Sequence, residues 1–198
     1  METFEPPKKL ALRGWSGIYS SMEPPVLSIL QAETPQQIAV ARELMTEYAA
    51  ALGFDLCFQN FDEEMRALPG KYAPPAGRIL LATWNGQAAG VIAMRALEES
   101  GACEMKRLFV RPGYRGRALG RALAEKLIGE ARGIGYTRMR LDTIQGKMDR
   151  AIELYRELGF REIPAYYSTP VQETLFMELA LGGGRDRAAS GPHISPAR

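Results

Sequence analysis

The sequence predicts one mixed α/β domain, with a mostly antiparallel sheet that contains one parallel strand pair and is flanked by about four helices. Three observations predict it. Asn85-Gly86 separates two strand-like segments, the pattern of a two-residue hairpin turn. A strand, helix, strand unit from Cys103 to Thr143 implies two parallel strands, because such crossovers normally return in the same sense. Apolar residues also recur at helical spacing in three stretches of the chain.

The first half of the domain is predicted to hold a strand, two helices and a three-strand meander. The apolar run Val26 to Ala32 predicts the first strand, and Thr34 with Gln37 predicts a helix that begins with reciprocal capping bonds. Gly53 is placed to end this helix in a left-handed cap. A loop with a short helix is predicted over residues 54–65. The meander strands are predicted over residues 78–84, 87–97 and 102–111.

The second half alternates between helices and strands. A broad apolar stripe from Ala118 to Ala131 predicts a helix, and residues 136–143 are again strand-like. Apolar positions from Met148 to Leu158 predict a further helix that Gly159 closes. Residues 160–163 and 174–181 predict the final strands, which gives the order β-α-α-β-β-β-α-β-α-β-β.

The length of 198 residues favours one domain rather than two, since a typical domain has about 150 residues. Residues 1–25 carry Pro pairs without a sustained period and are predicted to be a flexible leader. Residues 26–181 are predicted to be the folded domain. The Gly-, Ser- and Pro-containing residues 182–198 are predicted to be a disordered tail.

Composition excludes several classes of function. The single histidine, His193, lies in the predicted tail, which argues against a buried imidazole base or a His-rich metal site. Cys57 and Cys103 are too few for a four-thiolate zinc site or a disulfide-stapled fold. We therefore expect no metal. No apolar run approaches the roughly 20 residues of a membrane span and no export signal opens the chain, so the sequence predicts a cytoplasmic protein.

The net charge of +2 gives no overall attraction to nucleic acid, yet basic residues cluster locally. No acidic residue lies between Glu104 and Glu125. A strand, a Gly-containing turn and a helix N-terminus follow one another there, which predicts a phosphate site built on free backbone N–H groups. Gly116 and Gly120 would let an anion approach the backbone closely. The alternative is a solvated basic face. The cluster comprises Lys106, Arg107, Arg111, Arg115, Arg117 and Arg121.

Two segments resemble motifs of the GNAT superfamily of N-acetyltransferases. The segment from Val110 to Leu123 resembles the acyl-CoA pyrophosphate motif, with Arg115 and Gly120 at its outer positions and Ala118 where glycine is usual. The segment Ala151-Ile152-Glu153-Leu154-Tyr155-Arg156-Glu157-Leu158-Gly159-Phe160 resembles the family's later helix and strand, although Met148 stands in place of a common asparagine. The resemblance spans residues 26–181 and implies the GNAT fold.

The resemblance implies an acyltransferase that moves an acetyl group from acetyl-CoA to an amine of a small molecule or peptide, by direct attack in a ternary complex. In the family, backbone N–H groups of the strand before the loop hold the pantetheine arm and meet the oxyanion. The residues it implies for cofactor binding are Leu108, Phe109, Val110, Arg115, Gly116, Arg117, Ala118, Leu119, Gly120 and Arg121.

The resemblance also implies two catalytic residues, each with a structural alternative. Tyr155 is the candidate acid that protonates the leaving thiolate, but it lies on an apolar helix face and packing alone would explain it. Glu104 is the candidate base, and its alternative is a salt-bridged surface group. An alternating strand places Glu104, Lys106 and Leu108 on one face.

The acyl acceptor is expected to contact the aromatic segments around Phe54 and Phe58 and around Tyr166 and Tyr167, which are equally consistent with a small satellite core. Two other functions stay open: a non-catalytic acyl-CoA sensor, and a nucleic-acid binder that uses the arginine stripe. We expect no nucleic-acid or membrane partner. A homodimer is possible through a partly exposed last strand.

Overall fold

A computed structural model describes residues 25–52 and 60–182. Within these residues the order of elements is the predicted one, with boundaries that differ by up to three residues. The predicted leader and tail, and with them His193, Phe54, Phe58 and Cys57, lie outside this part of the chain apart from residues 25 and 182. The strands are β1 (Leu27–Gln31), β2 (Arg78–Trp84), β3 (Gln87–Ala96), β4 (Ala102–Val110), β5 (Arg138–Ile144), β6 (Arg161–Ile163) and β7 (Thr174–Ala180). The helices are α1 (Pro35–Leu52), α2 (Phe61–Ala67), α3 (Leu119–Ile134) and α4 (Asp149–Glu157).

The strands form one sheet in the order β1-β2-β3-β4-β5-β7-β6. Only β4 and β5 pair in parallel among these strands, and α3 makes the crossover between them, as predicted. The last strand, β7, lies between β5 and β6 rather than at an edge. A dimer that pairs through the last strand is therefore not expected, because β1 and the short β6 are the outer strands.

Apolar side chains cover both faces of the sheet and form two separate clusters. One cluster joins the sheet to the apolar stripe of α3 and to Tyr155 of α4. The other joins the opposite face to α1 and α2, and it includes Leu44, Tyr72 and Phe109. Because alternate strand residues point to opposite faces, the strands β1 to β4 contribute to both clusters, whereas β5 and β7 contribute only to the α3 cluster.

Local sequence signals explain where several elements begin and end. The Gln37 N–H donates to Thr34 Oγ1 at 3.2 Å and the Thr34 N–H donates to Gln37 Oε1 at 3.0 Å, which is the predicted reciprocal cap of α1. Asn85 and Gly86 both have positive φ, at 50° and 78°, as a type I′ hairpin requires. Gly135 ends α3 in the left-handed conformation.

The centre of the sheet departs from regular pairing in two ways that create the site. The strands β4 and β5 pair at only three positions, Ala102 to Glu104 with Arg138 to Arg140, and then diverge. The pairing of β4 with β3 also shifts register around Arg107, whose φ of 60° marks a bulge. The extra residue changes the alternation of side chains beyond this point. The expectation that Leu108 shares a face with Glu104 and Lys106 is therefore wrong, because Leu108 packs against the α3 cluster.

Candidate active site

A narrow slot of about 30 Å³ opens where β4 and β5 diverge. Its walls carry Met105 and Leu108 from β4, Leu141 and Thr143 from β5, and Tyr155 from α4. The strands supply no backbone hydrogen bonds to one another here, so this gap leaves one side of β4 available to a ligand that runs along it. The slot is therefore the position in which an extended group could be held between two strands.

Tyr155 lies at the slot and also belongs to the apolar cluster below α3. Its ring packs against Phe160 with centroids 5.7 Å apart, and the residue is 5% exposed. Burial raises the pKa of the Tyr155 phenol above its ordinary value, so the hydroxyl keeps its proton near neutral pH. Tyr155 is thus a core residue whose hydroxyl is also a candidate proton donor at the slot.

Thr143 brings an unsatisfied polar atom to the same slot. It is 1% exposed, and its Oγ1 has no hydrogen-bond partner among the described residues. A buried hydroxyl without a partner costs free energy, about 1–3 kcal/mol, which a bound ligand could recover by hydrogen bonding. The slot therefore contains a polar contact for a group that is not part of the protein.

The segment after β4 has the conformation of an anion-binding turn. Gly116 and Ala118 have φ of 78° and 58°, and α3 begins directly after them at Leu119. No side chain caps this helix and no acidic residue lies in its first turn, so N–H groups of the first turn remain for a ligand. A Cβ at Gly120 would lie 3.9 Å from both Val110 and Leu154, so protein packing does not require glycine there.

The six basic residues of the predicted stripe do not form one anion site. Most of their charges are neutralised by carboxylates: Lys106 contacts Asp142, Arg107 contacts Glu64, Arg111 contacts Glu43 and Glu47, and Arg121 contacts Glu157. Of these six residues, only Arg115 and Arg117 have no carboxylate within 4 Å in the described part of the chain. The charge pattern of the sequence thus overstated how strongly this segment attracts an anion.

These two remaining arginines are held beside the loop by other contacts. Arg115 Nε donates to the carbonyl of Val110 at 3.1 Å. The Arg117 guanidinium lies over the Trp84 ring, 4.9 Å from its centroid, and 6.0 Å from that of Tyr114. Both therefore stay next to the start of α3 with their charge available.

Leu108, Phe109 and Val110, the strand residues expected to hold the acyl donor, differ in which of their groups could contact it. Leu108 lines the slot with its side chain. The Phe109 side chain points to the opposite cluster, where it packs against Tyr48 with ring centroids 6.2 Å apart. Phe109 and Val110 can therefore contribute backbone groups rather than a common side-chain surface.

Glu104 is buried, which removes the surface salt bridge as an explanation. Its side chain is 1% exposed and accepts hydrogen bonds from Arg95 Nε at 2.7 Å and from the Tyr166 hydroxyl at 2.7 Å. Lys106 Nζ lies 3.7 Å from the same carboxylate. Burial and the charge of Glu104 raise the pKa of Tyr166, so that this tyrosine remains the donor. Glu104 and Tyr166, predicted separately, thus lie in direct contact.

Asp142 on β5 completes this polar group. Lys106 Nζ donates to Asp142 Oδ1 at 2.6 Å, which joins the two diverging strands across the slot. Burial by itself raises the pKa of Asp142, but the charge of Lys106 and hydrogen bonds from Lys106 and Tyr167 lower it below the usual value. Tyr167, expected at the acceptor site, therefore lies beside this ion pair.

Arg107 forms a second buried ion pair on the α2 side of the sheet. Its Nε and Nη2 atoms donate to the two carboxylate oxygens of Glu64, both at 2.9 Å, and its guanidinium lies 5.0 Å from the Phe61 ring centroid. Tyr72 also donates to Glu64, at 3.0 Å. The bulge of β4 thus directs Arg107 toward α2, where both partners are fixed.

A larger cavity of about 460 Å³ lies beside these ion pairs, within the usual size range of small-molecule sites. It is bounded by α2 and the turn after it, by Arg95, Lys106 and Arg107, and by the loop with Tyr167 and Ser168. Lys106 and Arg107 line both this cavity and the slot. The two spaces therefore meet at the bulge of β4.

Sequence reasoning missed several residues of this site. Asp142 and Thr143 had only a strand-like pattern, and Arg95 lay in a meander with no motif. The sequence contains no clear signal for Asp142, because in the alternating pattern of β5 it shares the polar face with Arg138 and Arg140. Among the described residues no cluster of His, Cys, Asp and Glu could hold a metal ion. Over the same residues no helix is long and apolar enough to cross a membrane.

Comparison with known proteins agrees with this geometry. The family model for the acetyltransferase (GNAT) family matches residues 39–160, which is more than half of the chain. A Schizosaccharomyces pombe protein named as an uncharacterized N-acetyltransferase is 37% identical over 161 residues, which cover 81% of this chain and 98% of the relative. The chain therefore belongs to the GNAT acetyltransferase family.

Solved structures show the same fold at lower identity. A GNAT-family acetyltransferase from Staphylococcus aureus matches with a TM-score of 0.66 and 22% identity, over 79% of this chain and all of the other. An acetyltransferase from Salmonella typhimurium, solved with its cofactor acetyl-CoA, matches with a TM-score of 0.55 and 22% identity, over 83% of this chain and 99% of the other. These structures show that the chain has the GNAT fold, and the family match and the named relative identify it as an acyltransferase.

Proposed function

We propose that this protein transfers an acetyl group from acetyl-CoA to an amine by direct attack in a ternary complex. The observation that carries the proposal is the slot between β4 and β5, which meets the polar cavity at Lys106 and Arg107 and lies beside the strand that leads into the turn before α3. The donor supplies the thioester, and the protein's own residues orient it, exclude water and move protons.

The residues at the slot and the turn fit such a donor. The unpaired side of β4 from Leu108 to Val110 would hold an extended amide-bearing arm, and the buried Thr143 hydroxyl offers it a polar contact. The N–H groups at the start of α3 and the cations Arg115 and Arg117 would hold the phosphates, together with the backbone of Gly116, Ala118, Leu119 and Gly120. Arg121 contributes less, because Glu157 shares its charge.

The reaction exchanges one bond for another. The amine nitrogen attacks the thioester carbonyl carbon, a C–N bond forms and the C–S bond breaks, so that the acetyl group ends as an amide and the thiolate leaves. The amine must lose a proton and the thiolate must gain one. The carbonyl oxygen gains negative charge during the attack, and backbone N–H groups of β4 are the donors in reach of the slot.

Tyr155 is the proposed proton donor to the leaving thiolate. It is the phenol that lines the slot from the α4 side, and burial, which raises its pKa, ensures that it carries a proton when the thiolate forms beside it. Tyr48 also lines the slot, from the α1 side, with its pKa raised to about 12 by burial. The position of Tyr155 in the GNAT-like motif distinguishes the two.

Glu104 is the proposed acceptor of the proton from the amine, acting through a water molecule. It lies in the β4 strand, in contact with Lys106 and Tyr166, but it lines neither the slot nor the cavity directly. Asp142 lines the slot and is the competing candidate. Glu104→Gln and Asp142→Asn separate them, because only the variant that loses the base should lower kcat/KM by about a hundredfold.

Calorimetric titration with acetyl-CoA, CoA, dephospho-CoA and ATP tests the donor site. We expect micromolar binding of acetyl-CoA, roughly −8 kcal/mol, which an Arg115→Ala, Gly120→Glu double variant loses. The variant should fold, because a Cβ at Gly120 fits and a carboxylate in the first turn favours a helix while it repels phosphate. Lys126→Ala, on the exposed side of α3, is the matched control.

The result also separates the other functions. Absence of binding would refute the acyltransferase assignment at this site, and binding without turnover on any amine would indicate a sensor. A nucleic-acid binder would show affinity that falls steeply with salt. The structure argues against it, because carboxylates neutralise most of the basic stripe. Location in the cytoplasm and the oligomeric state stay predictions.

A further inference from the structure

We infer that the acceptor is an amine that carries an anionic group, a carboxylate or a phosphate, and that the cavity beside the β4 bulge binds this group. The inference rests on the proposed function, since it assigns the acceptor to the cavity that meets the slot. Its basis is the charge of the described residues that surround the cavity.

Cations exceed carboxylates on the cavity wall. Four cations, Lys71, Arg95, Lys106 and Arg107, line it, against the carboxylates of Glu63 and Glu64. The carboxylates that balance Arg95 and Lys106 lie behind them and do not line the cavity: these are Glu104 and Asp142. Glu64 neutralises Arg107 on the same wall, so a small molecule inside the cavity meets three other cations, Lys71, Arg95 and Lys106, against the one carboxylate of Glu63.

The acidic side chains of the wall are less available than their number indicates. Both oxygens of Glu64 accept bonds from Arg107, and one of them also accepts from Tyr72. Glu63 is exposed on α2. An acceptor with a second positive charge would thus find Glu63 as the one carboxylate of the described cavity wall that is not paired with an arginine.

Arg95 is held in an orientation that suits the binding of an anion. Its Nε and Nη2 both contact the same oxygen of Glu104, at 2.7 Å each, which fixes the guanidinium plane. The Nη1 group has no hydrogen-bond partner in the described part of the chain, and the side chain is 28% exposed. A fixed guanidinium with a remaining donor binds carboxylate or phosphate with little loss of conformational freedom.

Lys71 adds an exposed positive charge to the wall of the cavity. It is exposed on the turn after α2, and no carboxylate of the described residues lies within 4 Å of its ammonium group. The same cations would also lower the pKa of an ammonium group that enters the cavity, because like charge disfavours its protonated form. An array that holds an anionic group therefore also favours the neutral, nucleophilic amine.

The test compares acceptors that differ in one charge, with thiol release from acetyl-CoA as the readout. The pairs are alanine and alaninamide, aspartate and asparagine, and phosphoethanolamine and ethanolamine, with spermidine as the cationic probe. We expect kcat/KM to be at least ten times higher for the anionic member of one or more pairs. The carboxylate pairs and the phosphate pair distinguish the two sources of the anion.

A matched pair of variants assigns the preference to the cavity. Lys71→Ala should reduce the preference several-fold through KM, with kcat and the acetyl-CoA affinity unchanged. Lys126→Ala removes one exposed lysine from α3 on the opposite face of the sheet and should change neither. Calorimetric binding of the preferred acceptor to the CoA-loaded protein should weaken in Lys71→Ala in the same proportion.

Three outcomes would overturn the inference. Equal turnover within every pair, or faster turnover of spermidine, would refute an anionic acceptor and leave the acetyltransferase assignment intact. A preference that Lys71→Ala does not reduce would refute its assignment to this cavity. Acetyl-CoA binding without thiol release from any amine would instead contradict the proposed function, and the inference with it.

Discussion

Two neighbouring groups of basic residues differ in their contacts. At the turn before α3, Arg115 and Arg117 are exposed and contact a carbonyl and two aromatic rings rather than carboxylates. At the bulge of β4, the side chains of Lys106 and Arg107 are 9% and 3% exposed, and each contacts a carboxylate from another element of the fold. These four residues lie within a dozen positions of one another in the sequence.

The difference shows that basic residues close together in the sequence can have different roles, one in ligand binding and the other in structural ion pairs. A guanidinium beside a helix N-terminus keeps its charge for a ligand, and its removal leaves no buried group without a partner. A buried ion pair fixes the position of the strand, and loss of one member leaves the other uncompensated in a poorly solvated place. Stability and ligand affinity should therefore respond to different substitutions.

The largest effect is expected for Glu64→Ala. Arg107 would remain buried beside Phe61 without its carboxylate, which should lower the free energy of unfolding by about 3 kcal/mol. Urea unfolding followed by circular dichroism measures it. Arg115→Ala should stay within about 0.5 kcal/mol of the parent protein, because its side chain is exposed. Equal losses in both variants would contradict the comparison.

The pH dependence of stability provides a control for that prediction. Burial by itself raises the pKa of Glu64, but hydrogen bonds and charge interaction with Arg107 lower it below the ordinary value of 4.5. A carboxyl with a lowered pKa stabilises the folded state above its unfolded pKa and loses that contribution as the pH falls through the folded pKa. The parent should therefore lose stability below about pH 5 more steeply than Glu64→Gln does.

The next effect concerns the chemical step. Tyr155→Phe should lower kcat for acetyl transfer about a hundredfold, which is equivalent to about 2.7 kcal/mol, because the slot loses its proposed proton donor. The acetyl-CoA affinity should change little. Tyr136→Phe, which removes a hydroxyl that donates to the Ala76 carbonyl, is the control. Full turnover by Tyr155→Phe would show that Tyr155 packs in the core and is not the proton donor.

A smaller effect is expected for donor binding. Arg115→Ala should weaken acetyl-CoA binding about tenfold, equivalent to about 1.4 kcal/mol, and flatten its salt dependence. Arg121→Ala should weaken it less than about twofold, since Glu157 already shares that charge. Calorimetry at two salt concentrations measures both variants, and the reverse order of effects would contradict the proposed division of the arginines.

The smallest effect is a gain in stability. Ala118 adopts a left-handed conformation, with φ of 58°, at the position before α3. That conformation costs an alanine about 1 kcal/mol relative to glycine, so Ala118→Gly should stabilise the protein by up to about this amount. Thermal unfolding measures the change. A loss of stability would show that the added freedom of the unfolded chain outweighs the relief of strain.

Much of the fold could be predicted because its signals are local. The Asn85-Gly86 turn, the capping bonds of Thr34 and Gln37, and the apolar stripe of α3 are each contained in a few residues. The crossover rule then gave the parallel pair without any knowledge of distant contacts. The position of β7 inside the sheet depends on pairing with two strands at once, which local patterns do not encode.

The site was only partly predictable for the same reason. The turn at Gly116 and the motif around Tyr155 are continuous in sequence, whereas the Arg107 and Glu64 pair joins residues 43 positions apart. The bulge at Arg107 has no proline or glycine to mark it, and it reversed the expected face of Leu108. A pattern of charges in the sequence could therefore show that charged side chains cluster here, but not which of these charges are neutralised.

The short pairing of β4 with β5 has a consequence for cooperativity. Only three residue pairs join the four strands β1 to β4 to the three strands β5, β7 and β6, so backbone bonding alone would leave two half-sheets. The apolar cluster that contains the stripe of α3 and side chains from both halves carries the rest of the connection. Native-state hydrogen exchange is expected to resolve the halves as separate opening units. A ligand that fills the gap between the strands would merge them into one.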